Sequence, residues 1–122
     1  MKPGKTGIRR LLDATGYSMK GLRSAFRHES AFRQELLLVL VLFPLSFFVA
    51  ESHTQWMMLV APLFLLLIVE LLNSAIESVV DRVGDEQHEL SGRAKDMGSA
   101  AVFICLVLIA GFWGSTAWQN LV

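Results

Sequence analysis

The side chains best suited to chemistry in this chain lie close together. Glu70, Asn73, Glu77 and Asp81 sit in the run Glu70-Leu-Leu-Asn73-Ser-Ala-Ile-Glu77-Ser-Val-Val-Asp81. At about 100° per residue they share one narrow stripe of a helix. The run leaves a long apolar segment. Carboxylates in a membrane helix are costly, so such a stripe is by default a functional site. A second stretch follows, Glu89-Leu-Ser-Gly-Arg-Ala-Lys95-Asp96-Met-Gly-Ser99, with a lysine and a carboxylate side by side.

The stripe has a depth gradient. Glu70 lies seven residues, about 10 Å, further into the apolar segment than Glu77. A carboxylate in a dry, weakly charged setting suits a general base. A shallower one near water suits a metal. Glu29, Glu35, Glu70, Glu77, Asp81, Glu86, Glu89 and Asp96 all fall on or near one side of the membrane. Hard oxygen ligands there suit Mg²⁺ held jointly with phosphate oxygens. Arg82, Arg93 and Lys95 are near enough to neutralise phosphate charge. The bland alternative is interhelical hydrogen bonding, with Glu70 and Asn73 joining helices in an oligomer. It suits Asn73 alone better than it suits the whole stripe facing Lys95-Asp96.

Other signals are weaker. Gly16 and Gly21 have GxxxxG spacing, but Leu22 and Arg23 follow where a phosphate loop needs Lys and Ser or Thr. His28, His53 and His88 have no metal-ligand spacing with one another or with the one cysteine, Cys105.

The elements that must position these groups are membrane helices. The chain has 122 residues, 53% of them hydrophobic, which makes one domain at most. Its mean hydropathy of +0.49 is high for a soluble domain. Residues 36–50, 56–69 and 97–118 are blocks, not amphipathic patterns. Three helices cannot bury three such blocks all round, which disfavours a soluble bundle. The expected spans are 31–50, 56–82 and 94–118, forming one all-α membrane domain over residues 1–122. Pro44 should kink the first modestly, and Gly84 should stop the second. Ser91 or a neighbour should cap the third.

Lys2, Lys5, Arg9, Arg10, Lys20, Arg23, Arg27 and Arg33 precede the first span; only Arg82, Arg93 and Lys95 follow it. The positive-inside rule then puts the N-terminus and the 82–95 loop in the cytoplasm, and the C-terminus outside. No cleavable signal peptide is expected, because no apolar run follows the basic N-terminus for some thirty residues. Ile8, Leu11, Leu12, Met19, Leu22 and Phe26 recur at helical spacing among basic residues. That predicts an amphipathic surface helix over 6–28, weakened or broken at Gly16 and Gly21. Trp113 and Trp118 suit an outer aromatic belt.

Glu70 to Asp81, together with His88 to Ala101, closely resembles the small integral-membrane prokaryotic diacylglycerol kinase family. Ala14-Thr-Gly-Tyr17-Ser, Arg33-Gln34-Glu35 and Trp113 with Trp118 extend the resemblance, from about Thr6 to Trp118. The resemblance implies a homotrimeric bundle in the bacterial inner membrane, phosphorylating diacylglycerol to phosphatidate with ATP and Mg²⁺. It implies Glu70 as the general base, supported by Asn73, with Glu29 and Glu77 holding the metal. It implies nucleotide contacts from Arg10, Tyr17, Glu29, Glu77, Glu86, Gln87, His88, Lys95 and Asp96. Gln87 stands where the family leads one to expect an aromatic. For the lipid it implies Arg10, Ala14, Thr15, Gly16, Tyr17, Ser18 and Met19. Arg23, Ser24, Ala25 and Phe26 continue that set on the surface helix. Ala31, Phe32, Arg33, Gln34, Glu35, Glu70, Ser99, Trp113 and Trp118 complete it.

Phosphoryl transfer asks mainly for positioning and charge neutralisation, which carboxylates, a metal and a lysine supply. One three-helix chain is too thin to enclose such a site, so oligomerisation is expected. Three rivals stand beside this reading. One is a kinase of the same fold acting on undecaprenol. The others are a transporter or channel subunit whose Glu70 relays protons, and a purely structural oligomer.

Overall fold

The computed structural model describes residues 6–84 and 88–122. Its helices are α1 (Gly7–His28), α2 (Ser30–Val49), α3 (His53–Val83) and α4 (Glu89–Leu121). There is no strand among the described residues. The last three helices are long and apolar enough to cross a membrane, at 20, 31 and 33 residues. At 1.5 Å per residue α3 is about 46 Å long, well beyond a hydrocarbon core of about 30 Å. Counted from His53, α3 leaves such a core near Asn73. Glu70 therefore falls inside it, while Glu77 and Asp81 fall beyond it.

α3 is the central element and packs along α4 and α2. Leu59, Leu63 and Leu66 are fully buried on it. Leu63 and Leu66 join Val39 of α2 and Val102, Cys105 and Ile109 of α4 in one core. In lipid, close van der Waals fit and interhelical hydrogen bonds hold such a core, because the tails are as apolar as leucine. Many large apolar side chains, such as Leu37, Leu40, Phe48 and Phe103, stay exposed on the outer faces. Those faces are satisfied by lipid or by further chains.

Local chemistry explains the joints. Ser52 caps α3, its Oγ accepting from Gln55 N at 3.1 Å, while Gln55 Oε1 accepts from Glu51 N at 2.9 Å. Asn120 Nδ2 donates to Val49 O at 2.7 Å and to Gln55 Oε1 at 2.8 Å, tying the end of α4 to the α2–α3 turn. Pro62 lies inside α3 and crowds the turn before it. Trp113 Nε1 donates to Leu59 O in that turn at 3.1 Å. Such pairing is what a backbone disturbed at membrane depth requires.

Three local expectations change. α1 is unbroken through Gly16 and Gly21; both leave open space where a Cβ would stand, so neither marks a bend. The break comes at Glu29, which is extended. Arg33 Nη1 covers the end of α1, donating to Phe26 O at 2.7 Å and Arg27 O at 3.3 Å. α4 starts at Glu89, a turn earlier than expected, because His88 and not Ser91 caps it, with Nδ1 accepting from Leu90 N at 3.0 Å. Gly84 does follow α3, but in extended backbone that any residue can adopt.

Candidate active site

Glu70 is 3% exposed, an acidic side chain sunk among apolar helices. Two groups reach it. Ser74, one turn further along α3 and 7% exposed, donates its hydroxyl to Glu70 Oε2 at 3.1 Å. Glu35 of α2 turns its carboxyl toward that of Glu70, with its own Oε2 buried and without a hydrogen-bond partner.

The stripe keeps its order along the helix. Asn73 is half-buried against α4, where its Oδ1 is enclosed and without a hydrogen-bond partner. It lies where a Cβ on Gly98 would stand. Glu77 is half-buried and feels the charges of Glu29, Glu70, Lys95 and Asp81. Asp81 accepts from Lys95 Nζ at 2.7 Å, linking α3 to α4. The stripe thus faces the seam that α3 makes with α4, α2 and the α1–α2 junction. No three His, Cys, Asp or Glu side chains converge on one point among the described residues. Mg²⁺ needs only one or two carboxylates when substrate phosphates and water complete its shell, so Glu29 and Glu77 fit that demand.

A groove of about 650 Å³ runs between α1 and α3. Ser18, Gly21, Ser24, Ala25, His28 and Glu29 line it from the α1 side, and Leu71, Ser74, Ala75 and Ser78 from α3. It brings part of the expected lipid set to the residue that bonds Glu70. Ala14 is half-buried and Ala25 buried. Arg10, Thr15, Gly16, Tyr17, Ser18, Met19, Arg23, Ser24 and Phe26 are exposed along α1. The hydroxyls of Thr15 and Ser18 donate back to Leu11 O and Ala14 O, both at 2.9 Å. Lys20 Nζ lies 5.9 Å from the centre of the Tyr17 ring.

The remaining expected residues fall in three places. Phe32 is buried at the start of α2, with Ala31, Arg33 and Gln34 exposed beside it. Lys95, Asp96 and Ser99 are exposed near the start of α4. Trp113 and Trp118 lie at least 14 residues beyond Ser99, about 21 Å or more along α4. They are therefore at the other end of the bundle from Lys95. Trp113 is half-buried on the Leu59 carbonyl, and Trp118 is exposed. Glu86 and Gln87 lie outside the described residues.

Ser74 was absent from the expected set, although its spacing of four from Glu70 on one helix is a visible signal. The inward turn of Glu35 had no such signal, because it depends on how α2 meets α3.

Long apolar helices that enclose one glutamate and carry an ammonium–carboxylate pair at their projecting ends define a membrane protein with a polar site near one surface. The family model described as prokaryotic diacylglycerol kinase matches residues 16–116. The diacylglycerol kinase of Pseudomonas aeruginosa is 53% identical over 112 residues, covering 92% of this chain and 91% of that protein. That of Haemophilus influenzae is 50% identical over 109 residues, covering 89% and 92%. That of Escherichia coli K12 is 47% identical over 120 residues, covering 98% of each. The chain belongs to the prokaryotic diacylglycerol kinase family.

Proposed function

We propose that this protein transfers the γ-phosphoryl group of ATP to the free hydroxyl of diacylglycerol, giving phosphatidate at the cytoplasmic face of the inner membrane. One observation carries the reading beyond family membership. The α1–α3 groove is lined by Ser74, whose hydroxyl holds the buried Glu70 carboxyl, so a lipid in the groove brings its headgroup within one helical turn of a base. Ser24, Ser78 and His28 add polar side chains to the lining. That favours a glycerolipid, with ester groups to satisfy, over a polyprenol, which offers hydrocarbon up to its hydroxyl.

In this mechanism Glu70 accepts the proton of the lipid hydroxyl as that oxygen attacks the γ-phosphorus. The bond from the γ-phosphorus to the β–γ bridging oxygen breaks, and ADP leaves. Asn73 supports the segment that carries Glu70. Glu29 and Glu77 hold Mg²⁺, which neutralises phosphate charge when bound. Lys95 binds phosphate, with Asp81 tethering its long side chain between turnovers. Asp96, Arg10, Tyr17, Glu86, Gln87 and His88 contact the nucleotide. α1 lies on the membrane surface: Ile8, Leu11, Leu12, Met19 and Phe26 remain exposed for lipid, with basic residues between them. The apolar outer faces of the spans and the half-buried Asn73 and Glu77 suit burial against further copies, and a homotrimer supplies them. The basic N-terminus places the Lys95 end in the cytoplasm.

Purified protein in mixed micelles with Mg²⁺ and labelled ATP should pass label to diacylglycerol and not to undecaprenol. Label on undecaprenol alone would select the polyprenol kinase, and label on neither lipid, with the protein folded, would remove the kinase reading. The nucleotide end has its own expected ranking. Lys95→Ala should raise the KM for ATP roughly tenfold or more, because a charge-assisted phosphate contact is lost. Asp81→Asn should change it by less than about threefold, since an exposed ion pair holds little. The reverse ranking in steady-state kinetics would contradict the tether.

A further inference from the structure

A serine in a membrane helix commonly donates its hydroxyl to the backbone carbonyl four residues back. Thr15 and Ser18 do this on α1. Ser74 has the same opportunity at the Glu70 carbonyl, yet its hydroxyl goes to the Glu70 carboxyl at 3.1 Å. Both residues are buried, so no bulk water competes for the bond. Ser74 also lines the α1–α3 groove, one turn from Glu70. Facing the same carboxyl from α2 is the carboxyl of Glu35.

We propose that Ser74 is a positioning residue for the lipid-phosphorylating reaction, holding the Glu70 carboxyl in one rotamer beside the groove where the lipid hydroxyl docks. A glutamate side chain has three rotatable bonds, and a base must lie within hydrogen-bond reach of the proton it takes. A misplacement of about 1 Å can cost on the order of a hundredfold in rate. Ser74 touches neither nucleotide nor metal in this scheme, so its loss should leave ATP binding unchanged. The inference rests on Glu70 as the base.

The test compares Ser74→Ala, Ser74→Thr and Glu70→Gln with the wild-type protein, using diacylglycerol in mixed micelles and MgATP. Ser74→Ala should lower kcat by about ten- to a hundredfold, with the KM for ATP within about twofold. Ser74→Thr, which keeps the hydroxyl, should recover most of the rate. In the Glu70→Gln background, adding Ser74→Ala should cost nothing further. Three results would overturn the role: wild-type kcat in Ser74→Ala, a Thr variant that folds yet turns over no faster than Ala, or a further loss in the double variant. Thermal unfolding of each variant separates a folding failure from a rate effect. Wild-type turnover in Glu70→Gln would sink the base reading itself. An inactive Glu70→Gln beside a fully active Ser74→Ala would sink only the serine's part.

Discussion

Glu70→Gln should reduce phosphate transfer to diacylglycerol by about 10²- to 10⁴-fold, the usual contribution of a positioned general base. The variant should fold and bind MgATP much as the wild type does. Glutamine matches glutamate in size, and its amide oxygen can still accept from Ser74. The amide is uncharged, so the substitution strands no charge in the apolar interior. What is lost is the ability to take a proton. Glu77→Gln should behave differently. Glu77 lies about 10 Å nearer the projecting end of α3, half-buried and within the fields of Glu29 and Lys95. Its loss should weaken MgATP binding, and saturating Mg²⁺ should partly restore turnover. Equilibrium nucleotide binding measured beside single-turnover rates distinguishes the two. Equal loss of ATP binding in both variants would remove the division of roles by depth.

The order of the stripe along α3 was legible because helix geometry is regular. α3 runs without a break from His53 to Val83, so a spacing of seven residues becomes a depth, and one stripe becomes one face. The three apolar blocks likewise became three long helices, since nothing but a helix satisfies its backbone in lipid within a single segment. Groups that depend on how two helices meet were not legible. Glu35 has the composition of an interfacial residue at the start of a span, yet α2 turns it inward to Glu70. The partner of Asp81, Lys95 on α4, could not be read from the helix that carries Asp81. Arg33 was expected on lipid, and its guanidinium covers the end of α1.

Caps and glycines were the other weak point. His88 is a less common cap than serine, and it lengthens α4 by one turn over the reading that used Ser91. Gly16 and Gly21 cost helix propensity, but α1 continues through both; a span of 22 residues tolerates two weak positions when its neighbours hold it. At Gly98, by contrast, the close approach of Asn73 makes glycine specific.

Gly98→Ala is expected to be the costliest single-methyl change in the bundle. α3 and α4 come so close there that a Cβ on residue 98 would overlap Asn73 Oδ1. The open space around Gly92, Gly111 and Gly114 makes the same substitution harmless at those positions. At 98 something must move. Asn73 Oδ1 is enclosed between the helices, and helix geometry restricts the rotamers of its side chain. Either the amide leaves its place or the helices part, and overpacking of this kind costs about 1–3 kcal/mol. Because Asn73 sits one turn from Glu70, the same change should lower kcat. A double-mutant cycle isolates the cause. Asn73→Ala removes the amide and leaves only a Cβ at ordinary contact distance, 3.7 Å. In that background Gly98→Ala should cost little stability. If thermal unfolding shows the same loss in both backgrounds, the clash lies elsewhere, and Asn73 does not set the approach of α3 to α4.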